Sequence, residues 1–470
     1  MMARRLRLTM REIADAMGGA LMAGRPDAVV DGFSIDSRTL LAGDLFFAIR
    51  GERLDGHHFT DQAFARGPCG VVLSDASPQA QKAAAAAGAA VIRVDDTTAA
   101  LQALARHVRR SSGTRVVAVT GSAGKTTTKE AAAHLLALRY DVHRNRGNLN
   151  NHIGVPLSLL ELRRGPEVAV VELGMNHAGE IRALMDIATP EVRVWTNVAE
   201  VHAAFFASIE AIADAKAEIL ENATADTVVV ANASDSLVMA RVGSCPGRVV
   251  TFGVEVAAEV QATAVVDRGL AGTEASVRTP AGKATFAVPL LGRANLENVL
   301  AATAVALQFD VPLPAIADRI RTLTPAPRRG EVWRLRDGVT LVDDTYNSNP
   351  RALRQALGVI ARENVAGRRM AVLGEMLELG EQSVALHQSC GRVAAHSGLS
   401  QLIAVGGDAA RSLAEAARGA GLSDVTYVRT SEEAAEWVSR SVRGGDLVFV
   451  KGSRGVRTDV VADRMKAEFA

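Results

Sequence analysis

The stretch "VVAVTGSAGKTTTKEAA", Val116–Ala132, decides how this chain folds. The apolar run Arg115–Thr120 reads as a buried strand, and Thr126–Arg139 carries the spaced Ala/Leu pattern of a helix. Between them lie Gly121, Ser122, Ala123, Gly124, Lys125, Thr126 and Thr127, the candidate phosphate-binding residues. The two glycines let backbone N–H groups turn toward an anion, and a helix N-terminus adds partial positive charge there. Lys125 is placed to reach the outer phosphates, and the Thr126 hydroxyl suits Mg²⁺. The strict spacing G-x-x-x-x-G-K-[ST] is not met, because Val119 stands where its first glycine belongs. The strand before and the helix after carry the reading: a nucleoside triphosphate site.

Working outward, the bulk composition excludes several classes. A chain of 470 residues is long for one core and predicts about three domains. A net charge of +1 gives no basic footprint for nucleic acid or for an anionic membrane. Aromatic residues make up 4%, too few for base-stacking surfaces. Cys69, Cys245 and Cys390 are far apart and form neither a metal spacing nor a disulfide framework, which fits a reducing cytoplasm. The start "MMARRLRLTMREIADAM" is basic but has no apolar core, so no signal peptide is expected. No run of about 18 apolar residues exists, so no membrane insertion is expected either.

Breaks in the pattern divide the chain into 1–112, 113–325 and 326–470. The first segment alternates short strands and helices, ends in a helix Thr98–Arg110, and contains the alanine run Ala83–Ala87 in the middle of a surface helix. "SSGT", Ser111–Thr114, reads as a linker. The middle segment strings together "EVAVVEL", "RVWTNV" and "TVVVANA" with helical stretches between, the signature of a parallel sheet covered by helices. A strand-rich excursion follows at Val249–Val288. After "TPAPRRG", Thr324–Gly330, the strand–helix alternation resumes.

Four clusters in the middle segment bear on chemistry, and each has a plain structural reading beside it. "GNLNNHIGVPLSLL", Gly147–Leu160, crowds three asparagines into a turn, which turn geometry alone can explain. Glu172 in "VAVVELGMNHAGEI" ends an apolar strand, at the edge where open α/β sheets bind ligands, and is a natural Mg²⁺ ligand or an ordinary strand-end glutamate. His202 in "TNVAEVHAAFFAS" follows another strand end. Lys216 in "ADAKAEIL" sits between Asp214 and Glu218, which on a helix also describes a solvated face.

Taken in order, these motifs resemble the Mur ligase family, the ATP-dependent amide-forming enzymes that build the peptide stem of peptidoglycan. The likeness runs through "TGSAGKTTTKE", "GNLNNHIGVPL", "ELGMNHAGEI", "TNVAEVH", "AKAEI", "LGRANLENVLAA", "DDTYNSNP", "LGEMLELG" and "KGSR". It implies a three-domain α/β architecture: a UDP-sugar domain, a central phosphate-loop parallel-sheet ATPase domain and a Rossmann-like C-terminal domain. "ELGMNHAGEI" and "DDTYNSNP" look like the member that joins D-alanyl-D-alanine to UDP-N-acetylmuramoyl-tripeptide through an acyl-phosphate. The resemblance then assigns roles. Lys125 and Thr126 would serve ATP and its Mg²⁺, and Glu172 and His202 would hold metal. Lys216 would carry a CO₂-derived carbamate that supports a second Mg²⁺. Asn295 and Asn298 match the adenine-proximal motif, although Ala294 stands where relatives have His. Asp344 and Tyr346 would approach ribose or adenine. Ser37 and Arg38, in "SIDSRTLLAGDLFFAIRGERLDGHHF", would meet the uridine diphosphate, and Asn148 and Asn151 are further substrate candidates. Arg328-Arg329-Gly330 offers two arginines where relatives have one Gly-Arg, so the phosphate contact stays open between them.

Two other readings share many of these residues. The ligase that adds diaminopimelate or lysine to the dipeptide precursor carries an Asp-Asn-Pro-Arg run in its last domain. "NSNPR", Asn347–Arg351, has that look but belongs to the earlier "DDTYNSNP" motif, and the later stretch "AVGGDAARSLAEAA" lacks the run. A non-catalytic ATP-binding module that regulates a partner would share the phosphate loop alone.

Overall fold

The computed structural model describes residues 3–199 and 205–470. Three sheets organise them. The first has β1 (Ala20–Ala23), β2 (Gly32–Ser34), β3 (Asp44–Phe47), β4 (Gly70–Leu73) and β5 (Ala90–Arg93), in the order β1-β5-β4-β3-β2. All its neighbours are parallel except β1, which runs antiparallel to β5.

The second sheet comprises β6 (Arg115–Thr120), β7 (Val142–Arg144), β8 (Val168–Glu172), β9 (Val192–Trp195), β10 (Val228–Asn232), β11 (Arg248–Val254), β12 (Val260–Asp267), β13 (Thr273–Thr279) and β14 (Gly282–Val288). Its order is β14-β13-β12-β11-β10-β9-β6-β8-β7. Every residue of β8 and β9 is buried, as are five of six in β6. A strand covered on both faces has no reason to alternate apolar with polar, which is why these runs are continuous. The excursion expected at Val249–Val288 ends in the antiparallel ladder β12–β13–β14.

The third sheet holds β15 (Glu331–Arg334), β16 (Thr340–Asp344), β17 (Arg369–Gly374), β18 (Gln401–Val405), β19 (Val425–Val428) and β20 (Leu447–Lys451), ordered β15-β16-β20-β17-β18-β19. Helices Pro350–Arg362, Ser383–Ala395 and Asp408–Gly419 share one core on this sheet, and Ser431–Ser441 and Asp459–Glu468 share another. The helices following β16 and β17 therefore belong to one core and that following β20 to the other. This is a topological switch at the carboxyl ends of β16, β20 and β17, the kind of edge at which open α/β sheets place ligands.

By packing, the chain falls into two compact units: residues up to Val119 with Arg139–Arg193, and Thr120–Leu138 with Val194–Ala470. Local boundaries differ from expectation in two places. The helix Thr97–Ser112 absorbs half of the expected linker, because Asp96 caps its start and left-handed Gly113 ends it. The alanine run closes the helix Pro78–Ala86 rather than filling its middle, and Ala84 alone of that helix is buried. No described helix is long and apolar enough to cross a membrane.

Candidate functional site

In the second unit, the phosphate loop joins β6 to the helix Lys125–Leu136. Gly121 has φ +146°, and a Cβ there would lie 2.0 Å from Thr196 Oγ1. Gly124, at φ +82°, would place a Cβ 2.1 Å from Asn298 Oδ1. Both positions therefore demand glycine on backbone and on space. The strand β9 and the residues after it hold the loop: Ser122 N–H donates to Asn197 O at 2.9 Å, and Ala123 N–H to Asn197 Oδ1 at 2.9 Å. The Thr196 hydroxyl donates to Ala123 O at 2.6 Å. Lys125 Nζ curls back over the loop to Gly121 O at 2.8 Å. Val119 violates the strict motif because it is still strand, fully buried and paired with Glu172. Thr126 and Thr127 are half-buried in the first turn of the helix.

Lys216 lies on the helix Ile209–Ala217, and only 1% of it is exposed. The solvated-face reading fails on that number. Asp214, two residues before, is on the wet side and pairs with Arg241. Burial, and then the charge of Lys125, hold the Lys216 amine well below the usual lysine range. Both causes shift the balance toward the neutral amine, and a neutral amine is a nucleophile. His202 lies outside the described residues.

In the first unit, Glu172 ends β8 and is 3% exposed. In register it stands beside Val119, two residues before Gly121. Its backbone N–H donates to Asn145 Oδ1 at 2.9 Å, and Asn145 Nδ2 donates to Glu172 O at 3.1 Å. Its Oε1 accepts from Asn150 Nδ2 at 2.9 Å. Asn151 Oδ1 accepts from Gly154 N–H at 2.8 Å, at the first residue of the helix Gly154–Leu159, while Asn148 is exposed. Of the crowded asparagines, the one not singled out from sequence is thus the one that holds the acid.

Among the described residues no group of three or more His, Cys, Asp or Glu side chains gathers as a metal site. The donors present, a threonine hydroxyl and a buried carboxylate, are the oxygen ligands Mg²⁺ takes. On this chemistry the residues fit magnesium.

Elsewhere in the second unit, Asn298 Oδ1 accepts from the Thr128 hydroxyl at 3.3 Å, and its Nδ2 donates to Asn295 Oδ1 at 3.1 Å. Asn295 Nδ2 donates to Leu291 O at 2.9 Å. At the carboxyl edge of the third sheet, Asp344 accepts from Lys451 Nζ at 2.6 Å. Lys451 is a residue to which sequence reading gave no role, and its signal was a charge at a strand end. Arg328 pairs with Asp459 and, at 2.9 Å, with Asp463. Arg329 stacks on the Tyr346 ring with its guanidinium carbon 4.0 Å from the centroid. The two arginines are therefore used differently, one in a carboxylate cluster and one over the candidate nucleotide contact.

In the first unit, the Ser37 hydroxyl donates to Gln62 Oε1 at 2.6 Å and is 6% exposed. Arg38 forks onto Asp36, with contacts of 2.9 and 2.7 Å, and this brings the Asp36 carboxyl down to about 2.

Three family models match in chain order: the Mur ligase family catalytic domain over residues 29–109, the Mur ligase middle domain over 119–306, and the Mur ligase glutamate ligase domain over 328–454. The UDP-N-acetylmuramoyl-tripeptide--D-alanyl-D-alanine ligase of Bacillus subtilis is 32% identical over 457 residues, covering 97% of this chain and 98% of its own. A crystal structure of MurF from Acinetobacter baumannii superposes with a TM-score of 0.87 at 30% identity, covering 98% of this chain and 99% of that one. The MurF ligase from Thermotoga maritima, solved in complex with ADP, gives a TM-score of 0.79 at 28% identity, over 93% of this chain and 97% of that one. The likeness thus extends far beyond a shared ATP-binding loop, from one end of the chain to the other: this protein belongs to the Mur ligase family.

Proposed function

We propose that this enzyme uses ATP to join D-alanyl-D-alanine to UDP-N-acetylmuramoyl-tripeptide, in the cytoplasm, as a step in peptidoglycan precursor synthesis. The observation that carries the reading is the near-full-length relationship to ligases of that name. The site chemistry supports it. Making an amide from a carboxylate requires a better leaving group than oxide, which phosphorylation supplies. The substrate carboxylate attacks the γ-phosphate, the bond to ADP breaks, and an acyl-phosphate forms. The amine of the dipeptide then attacks the acyl carbon, phosphate leaves and the amine loses a proton.

Two anions meet in the first step, so positioning and charge neutralisation dominate. Lys125 and the loop N–H groups from Gly121 to Thr127 face the phosphates. Thr126, Glu172, His202 and a carbamylated Lys216 are proposed to hold Mg²⁺, which when bound neutralises charge between carboxylate and phosphate. The carbamate forms when the neutral Lys216 amine attacks CO₂ and releases a proton. Asn295, Asn298, Asp344 and Tyr346 are proposed for the nucleoside. Ser37, Arg38, Asn148 and Asn151 are proposed for the UDP-muramoyl substrate, with domains at 1–112, 113–325 and 326–470. Arg329, stacked on Tyr346, is the better of the two linker arginines for phosphate, because Arg328 is held by Asp459 and Asp463.

The test is a panel of UDP-muramoyl peptides crossed with amine acceptors, with products read by mass spectrometry and phosphate release followed in parallel. Phosphate release that requires both the tripeptide substrate and D-alanyl-D-alanine is expected. Product from the dipeptide precursor with diaminopimelate or lysine, or phosphate release without an acceptor, overturns the reading.

A further inference from the structure

Glu172 is fixed more completely than a strand-end residue needs to be. The strand β7 stops at Arg144, which pairs with Val170, so the backbone of Glu172 projects past its neighbour. The next residue, Asn145, turns its side-chain amide into the missing rung: its Oδ1 takes the Glu172 N–H and its Nδ2 reaches the Glu172 carbonyl. Asn145 is 1% exposed, and its Nδ2 also donates to Leu149 O at 2.7 Å, which folds the following turn back on itself. That turn delivers Asn150. Its own backbone is clamped, with Asn150 N–H donating to Asn148 O and Gly174 N–H donating to Asn150 O, both at 2.8 Å. The side chain then donates Nδ2–H to Glu172 Oε1 at 2.9 Å. A carboxylate only accepts, so the amide nitrogen must face it, and the orientation is chemically settled. Gly174 leaves the room: a Cβ there would lie 2.9 Å from Asn150 Cγ.

A glutamate has three side-chain torsions, the last of them soft. The hydrogen bond from Asn150 fixes one carboxylate oxygen and thereby the direction of the other. Partners of this kind are what orient a metal-binding carboxylate. We infer that Asn150, set in place by the Asn145 rung and the gap at Gly174, is a positioning residue that aims the Glu172 carboxylate at the divalent cation accompanying ATP. The inference rests on the reading of Glu172 as a Mg²⁺ ligand. It does not depend on which amine the enzyme accepts.

The experiment is a titration of the full-length protein with Mn²⁺ in the presence of a non-hydrolysable ATP analogue, with free Mn²⁺ read by electron paramagnetic resonance. No acceptor or nucleotide sugar is added, so a wrong acceptor assignment leaves the result untouched. Asn150→Ala is expected to weaken Mn²⁺ binding about ten- to a hundred-fold. Glu172→Ala is expected to do at least as much, and the double variant no more than Glu172→Ala alone, because both act through one carboxylate. KM for the nucleotide sugar in Asn150→Ala should stay unchanged. Wild-type Mn²⁺ affinity in a folded Asn150→Ala protein, losses that add in the double variant, or Mn²⁺ binding indifferent to Glu172 each overturn the inference. If Asn150→Ala does not fold, Gly174→Ala decides, since its methyl pushes the amide aside without removing it. A several-fold weaker Mn²⁺ site is then expected, and an unaltered one overturns the proposal.

Discussion

Two of the buried lysines in the second unit, Lys451 and Lys216, meet opposite surroundings. Lys451, 4% exposed, closes β20 against Asp344 at 2.6 Å and donates to Asn347 O at 2.9 Å. Lys216, 1% exposed, has Lys125 as the charge that acts on it, and both burial and that charge disfavour its ammonium form. A buried ammonium facing a carboxylate is an ion pair, costly to break and chemically quiet. A buried amine facing another cation is pushed toward its neutral, nucleophilic form. The difference separates a lysine that holds two strand ends together from one whose surroundings disfavour its charge.

The sharpest way to break this comparison is to remove both amines and watch activity and stability separately. Lys216→Ala should lose at least about 10³-fold in kcat, the scale of removing a preorganised charge from a transition state. Added short-chain carboxylic acids should restore part of it by returning negative charge to the vacated space. Full activity of Lys216→Ala in CO₂-free buffer returns Lys216 to the rank of a structural residue. Lys125→Ala should cost about 10²–10³-fold in kcat with the fold intact, measured by phosphate release and circular dichroism. Near-normal turnover would remove the ATP reading of the loop.

Stability should respond with opposite signs. Lys451→Met strands the Asp344 carboxylate and should lower stability by about 1–3 kcal/mol, the cost of leaving a buried acceptor without its donor. Lys216→Met should be neutral or stabilising, because an apolar chain replaces an amine that burial penalises. Equal losses in denaturant melts of the two variants would erase the distinction.

Ser37 and Arg38, proposed for the uridine diphosphate end of the substrate, sharpen the contrast because they are expected to take no part in bond making. Replacing Ser37 or Arg38 should raise KM for the nucleotide sugar while kcat at saturation stays put, since the lost contact is equal in ground and transition states. A pure kcat defect would move them to the chemistry. The smallest expected effect belongs to Asp36. Its carboxyl is lowered from 3.8 to about 2, chiefly by the Arg38 side chain, so the folded state favours the ionised form. That contribution is present above pH 4 and fades as pH falls toward 2. Thermal melts of wild type and Arg38→Ala should differ slightly at neutral pH and converge toward pH 2, the exposed pair being screened by solvent.

What the sequence by itself determined is whatever local geometry enforces. Gly121 and Gly124 announce a loop because their backbone angles exclude other residues, and the apolar runs of β6, β8 and β9 announce a covered parallel sheet. Glu172 was legible as a strand-end acid for the same reason. Tertiary structure alone decided what depends on residues distant in the chain. Lys216 between two acids reads as a wet helix face until burial and Lys125, ninety-one positions away, disfavour its ammonium form. Three neighbouring asparagines look alike until the fold sends Asn151 to the Gly154 N–H and Asn150 to Glu172. Arg328 and Arg329 become distinguishable when Asp459 and Asp463 claim the first and Tyr346 the second. Backbone conformation is set within a few residues, but a side chain's charge and partners are set by whatever folding packs against it.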